Sequence, residues 1–119
     1  MRLLMSLSFL LCALAVAHPA LAQKDNAGGQ IGGTYSAQGV NADGSKYTGT
    51  VVIKQDGNQY RFSWLISSGD TYQGVGKRTG NQIVVDWGAK YPVIYQVGDD
   101  GVLKGKWDNG KASETLERK

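Results

Sequence analysis

From Thr34 onward, apolar and polar residues alternate in short runs. Turn residues separate the runs at roughly the 8–12-residue spacing of all-β sandwiches and barrels. No window carries the 3.6-residue period of an amphipathic helix, so the pattern predicts an all-β domain essentially without helix. Strand one is predicted over Gly33–Val40, ending at Asn41-Ala42-Asp43-Gly44. Strand two, Lys46–Gln55, places Tyr47, Gly49, Val51 and Ile53 on one face and Thr48, Thr50, Val52 and Lys54 on the other. Asp56-Gly57 leads into strand three, where Tyr60, Phe62, Trp64 and Ile66 alternate with Arg61, Ser63 and Leu65. Strand four is Thr71–Arg78, and strand five turns Ile83, Val85 and Trp87 to the core. Strand six, Tyr91–Val97, points Val93, Tyr95 and Val97 inward, and strand seven covers Val102–Trp107. Asp108-Asn109-Gly110 is a hairpin signal before strand eight, Lys111–Glu117.

Connections this tight make sequential strands pair antiparallel, and eight of them suffice to close an up-and-down meander barrel without exposed edges. Gly39, Gly49, Gly74, Gly76 and Gly105 fall inside strands, where glycine marks sharp bends or close backbone approach. They favour the barrel over an open twisted sheet or a small β-sandwich. Lys54-Gln-Asp-Gly-Asn-Gln-Tyr-Arg-Phe-Ser-Trp64 also aligns with Lys77-Arg-Thr-Gly-Asn-Gln-Ile-Val-Val-Asp-Trp87. Coincident Lys, Gly-Asn-Gln and Trp point to a repeated hairpin.

The first residues have a different character. Arg2 precedes Leu3–Ala17, which is apolar except at Ser6, Ser8 and Cys12, and His18-Pro19 leads to Ala20-Leu21-Ala22. A positive n-region, an apolar stretch and a small-x-small site predict a signal peptide over 1–22, cleaved after Ala22. The apolar run is shorter than the ~20 residues of a spanning helix. Residues 23–33 form a polar, glycine-rich leader and 34–119 the barrel domain. The prediction is therefore a periplasmic or secreted chain with no membrane insertion of its mature form.

Removing that segment changes the available chemistry. The one Cys, the one His and both Met of the sequence lie within it. The mature chain then has no disulfide, no thiolate or imidazole metal ligand, and no Cys or His nucleophile or base. The expectation is a protein that is not an enzyme and carries no cofactor. Thirteen Lys and Arg against ten Asp and Glu give a formal charge of +3, with the signs interspersed. A nucleic-acid partner would call for a clustered basic stripe. Asp99-Asp100 sits in a Gly-Asp-Asp-Gly turn, where Asp serves turn hydrogen bonds rather than catalysis. Asp86 falls on the outward face of strand five.

The inward aromatic set, Tyr47, Tyr60, Phe62, Trp64, Tyr72, Trp87, Tyr95 and Trp107, has two readings. The rings could fill a small barrel completely. Alternatively, an eight-stranded barrel can hold one small ligand, with Tyr and Trp offering flat walls with polar edges. On that second reading the candidate ligand-binding residues are Tyr47, Trp64, Tyr72, Trp87, Tyr95 and Trp107.

Three stretches resemble small exported proteins common in alphaproteobacteria, some of them labelled fibronectin-binding protein. They are Gly33-Thr-Tyr-Ser-Ala-Gln-Gly-Val-Asn-Ala-Asp-Gly-Ser-Lys-Tyr-Thr-Gly-Thr50, the pair Val85-Asp-Trp-Gly88 and Pro92-Val-Ile-Tyr95, and Asp100-Gly-Val-Leu-Lys-Gly-Lys-Trp107. That resemblance implies an adhesive role toward a host matrix protein such as fibronectin, through loops and outward faces. The architecture is similar to avidins and lipocalins by analogy of fold alone. Ser68-Gly-Asp-Thr-Tyr72 resembles the opening of the periplasmic lysozyme-inhibitor motif, but position 75 is Val where that motif has Gly. The leading expectation is an exported non-enzymatic binding protein with a macromolecular partner. The alternatives are a small-ligand carrier using the barrel mouth and an inhibitor of a secreted hydrolase such as lysozyme.

Overall fold

The computed structural model describes residues 29–119. The predicted signal peptide and most of the predicted leader lie outside the described residues. The unit Ile31–Lys119 contains eight strands. They are β1 (Gly33–Val40), β2 (Lys46–Asp56), β3 (Gln59–Ile66), β4 (Thr71–Thr79), β5 (Gln82–Asp86), β6 (Val93–Val97), β7 (Leu103–Trp107) and β8 (Ala112–Arg118).

Each strand pairs antiparallel with its neighbour in sequence, and β8 returns to β1 with Ala37 opposite Leu116, closing the barrel. The open sheet and the sandwich are thereby set aside. The predicted alternation carries through: Val51 and Ile53 of β2, Phe62 and Trp64 of β3, Ile83 and Val85 of β5, and Val93, Tyr95 and Val97 of β6 are buried. The repeated hairpins both turn on a two-residue Gly-Asn loop whose glycine takes a positive φ, 64° at Gly57 and 62° at Gly80. A positive φ at the first central position suits the twist of the flanking strands. Asp86 is exposed and accepts a hydrogen bond from the Gly88 amide at 3.0 Å, and Asp100 accepts one from Val102 at 3.0 Å, both as turn-shaping groups.

Most strand ends fall within one residue of expectation, and two regions differ by more. β6 begins at Val93 rather than Tyr91. Pro92 has no N–H for a ladder, and the Tyr91 carbonyl is taken by the Trp87 indole N–H at 2.9 Å. The barrel also reaches back before residue 34. Ile31 is 2 % exposed, its carbonyl accepts the Tyr35 hydroxyl at 2.7 Å, and Gly33 already pairs with Ile53. An apolar side chain amid polar glycine-rich sequence is easily read as leader, yet here it seals the barrel floor.

A meander barrel has two ends. The β2–β3, β4–β5 and β6–β7 turns lie at one, together with the start of β1 and the end of β8. Ile31, Ile53, Ile83, Val97 and Leu103 fill this end. Over it, the Arg118 guanidinium lies 4.9 Å from the Tyr35 ring centroid and donates to the Gly32 carbonyl at 2.7 Å and the Tyr35 hydroxyl at 3.0 Å. The other end carries the β1–β2, β3–β4, β5–β6 and β7–β8 connections, and it is not filled.

Candidate functional site

Strand alternation turns Ala112, Glu114 and Leu116 of β8 inward, so a carboxyl group enters the barrel between two apolar side chains. Glu114 is 5 % exposed and is the buried charged residue of the described chain. Its surroundings follow from one cross-strand row. Reading across the sheet, Tyr47 of β2 pairs with Gly39 of β1, Gly39 with Glu114 of β8, Glu114 with Gly105 of β7, and Gly105 with Tyr95 of β6. The two glycines leave space on either side of the acid, and the tyrosine rings lean across them. A Cβ at Gly105 would lie 2.6 Å from the Tyr95 ring, and one at Gly39 would fall into the Tyr47 ring. This is the close approach that glycine within a strand permits.

Both phenols thereby reach the same carboxylate. The Tyr47 hydroxyl donates to Glu114 Oε1 at 2.8 Å, while the Tyr95 hydroxyl donates to Oε2 in a short hydrogen bond. The Trp64 indole N–H also donates to Oε2, at 3.1 Å. Trp107 extends the network, its indole N–H donating to the Tyr47 hydroxyl at 3.1 Å. Every partner of Glu114 is a neutral donor, and it has no Lys or Arg partner among the described residues. Burial first, then the adjacent Glu114 charge, raises the phenol pKa of Tyr47 and of Tyr95. Both therefore remain donors at neutral pH.

Above the acid lies a cavity of about 590 Å³, opening between the four connections of the unfilled end. Tyr47, Trp64, Tyr72, Trp87 and Trp107 line it, with Glu114 at its deep side. Of the eight inward aromatics, Tyr60 is partly buried against the core, and the remaining seven divide into two groups. Trp64, Phe62 and Tyr95 form a stacked trio, with Phe62 centroids 5.5 Å from each neighbour at interplanar angles of 26° and 9°. The other four rings meet edge to face around the opening: Tyr47–Trp107 at 68°, Trp107–Trp87 at 86° and Trp87–Tyr72 at 79°. Both sequence readings of the aromatic set thus describe part of the barrel, packing in its middle and walls at its mouth.

Five of the six candidate ligand-binding residues line the cavity. Tyr95 does not; it is fully buried within the stack and acts on the site through its hydroxyl on Glu114. Sequence reasoning missed Glu114, together with Ile66, Val93 and the rim residues Asn41, Lys46, Ser67, Ser68 and Asp70. The alternation of β8 between Ala112 and Leu116 was the available signal for Glu114. The Ser68-Gly-Asp-Thr-Tyr72 segment belongs to this rim, where the Ser68 hydroxyl donates to Asp70 at 3.0 Å.

Fold and site together define a closed eight-stranded meander barrel with one plugged end and one aromatic mouth over a buried acid. No protein-family model matches the chain, and no curated protein matches it in sequence. Among solved structures it is similar to designed barrels. One is a redesigned β-barrel with 22 % identity and a TM-score of 0.53, covering 79 % of this chain and 96 % of that one. A second, a redesigned β-barrel bound to DFHBI, has 18 % identity and a TM-score of 0.54, covering 78 % and 99 %. A third, a de novo fluorescence-activating β-barrel, has 20 % identity and a TM-score of 0.51, covering 79 % and 98 %. At these identities the likeness is one of fold.

Proposed function

We propose that this chain is an exported, non-enzymatic carrier or receptor that holds a small molecule in the mouth of its barrel. The observation that carries the reading is the cavity of about 590 Å³, walled by tyrosine and tryptophan and ending on Glu114. Its size falls within the ~300–1,000 Å³ of small-molecule sites, and apolar walls with a few convergent polar groups are their usual construction. That a barrel of this fold accommodates a small molecule is supported by the similar redesigned barrel bound to DFHBI. Adhesion to a matrix protein such as fibronectin would instead use loops and outward faces, and hydrolase inhibition would use the Ser68–Tyr72 rim as a protruding contact. An inward-facing cavity favours the small-ligand reading over both.

Native mass spectrometry of the protein purified from its own host tests the proposal. A discrete small-molecule adduct is expected on the wild type and should be lost in Ser68→Trp, which adds bulk at an exposed rim position. A consistently unliganded mass would end the reading.

A further inference from the structure

Three features of the cavity bear on the charge of its occupant. The first is Glu114, a buried carboxylate whose three hydrogen-bond partners are neutral donors. The donors satisfy its oxygens but bring no formal positive charge. In a water-poor setting its field extends into the adjoining space with little screening. The second is the set of mouth rings, Tyr47, Trp107, Trp87 and Tyr72, with successive centroids 6.2, 5.9 and 5.7 Å apart and planes near perpendicular. Rings set at right angles form panels around a space rather than a stack, and aromatic faces attract cations through their quadrupole. The third is the balance of charge on the lining, where the exposed rim charges of Asp70 and Lys46 offset one another and the buried charge is that of Glu114.

Building on the small-ligand reading above, we infer that the occupant carries an organic cation, a compact alkylated ammonium group. Its carbon shell packs against the rings and its charge is balanced by Glu114. A hard metal ion would find a single carboxylate, whereas calcium takes six to eight oxygen ligands. An anion would enter against the field of the buried acid.

The test is a titration of the purified full chain, followed by calorimetry and by the NMR signals of the three indole N–H groups. Three probes of similar shape are used: tetramethylammonium, neutral neopentyl alcohol and anionic pivalate. Tetramethylammonium should shift the indole signals and bind at least about tenfold more tightly than the alcohol. Glu114→Gln should weaken the cation about tenfold while leaving the alcohol nearly unchanged. Tyr72→Leu, at a position 43 % exposed, removes one panel without disturbing the buried network, and should also weaken the cation more than the alcohol. Equal binding of cation and alcohol, or a preference for pivalate, overturns the cation assignment while leaving a ligand cavity standing. Failure of the cation to bind while native mass spectrometry still finds an adduct overturns it in the same way. Failure to bind any probe, with no adduct from the host, overturns both readings.

Discussion

The two ends of this barrel are built from the same strands but place charge in opposite ways. At the closed end the charged group is an exposed cation. Arg118 covers the Tyr35 ring and donates to the Gly32 carbonyl and the Tyr35 hydroxyl, and aliphatic side chains fill the space beneath. At the open end the polar group is an acid, set deeper, held by neutral donors and facing a cavity. The first arrangement completes a core. The second leaves a charge without a counter-charge among the described residues beside a cavity, an arrangement that costs stability unless something else requires it. Structural economy alone would have placed an aliphatic residue at Glu114.

The comparison breaks most severely at the layer both ends share. Phe62 is 1 % exposed and stacks on Trp64 and Tyr95. Phe62→Ala should cost about 3–5 kcal/mol, read as a lowered midpoint in chemical denaturation, and should loosen the mouth as well as the core.

Alkaline pH separates the two ends next. Tyr47 and Tyr95 have phenol pKa values raised above 10.0, first by burial and then by Glu114. Tyr35 is also raised by burial, but the Arg118 charge pulls it back. A folded pKa above the unfolded one means full stability below pH ~10 and loss above it, because the unfolded chain releases a proton that the native state keeps. The unfolding free energy from denaturation curves should therefore fall as pH rises past about 10, by about 1.4 kcal/mol per pH unit for each phenol withheld from ionisation. Tyr95→Phe should flatten that slope more than Tyr35→Phe does.

Smaller effects come from the glycine row. Gly105→Ala drives a methyl against the fully buried Tyr95 ring, and should cost about 1–3 kcal/mol. Gly39→Ala meets the outer part of the half-buried Tyr47 ring, which can swing toward the mouth. It should cost less stability than Gly105→Ala yet break the hydrogen bond to Glu114, visible as a lowered Tyr47 phenol pKa in an ultraviolet titration. The smallest change in stability is expected at the rim, where Tyr72→Leu should stay within about 0.5 kcal/mol of wild type while ligand binding weakens. A large loss of stability there would mean that the mouth is structural after all.

Much of the barrel was legible in the chain because a period of two, interrupted by Gly-Asn and Asp-Gly turns, admits few other arrangements. Strand β1 and the inward faces of β2, β3, β5 and β6 follow from it directly. The site was legible in part. Tyr47, Trp64, Trp87 and Trp107 could be assigned to the interior, but alternation says only inside or outside, not how far along the barrel axis a ring sits. Trp64 and Trp87 occupy matching places in the two repeated segments, yet Trp64 joins the stacked trio and Trp87 the mouth.

What the sequence determined by itself was the all-β meander, the inward faces of β2, β3, β5 and β6, and a chain whose only Cys and His lie before residue 23. Those are local properties, set by side-chain period and turn chemistry. Tertiary structure alone decided that the barrel closes with Gly39 and Gly105 on either side of Glu114, and that Tyr47 and Tyr95 converge there from 67 and 19 residues away. It also decided that one end fills while the other stays open. Those outcomes depend on strand register around the closed sheet, and register is a property of paired strands that no single strand contains.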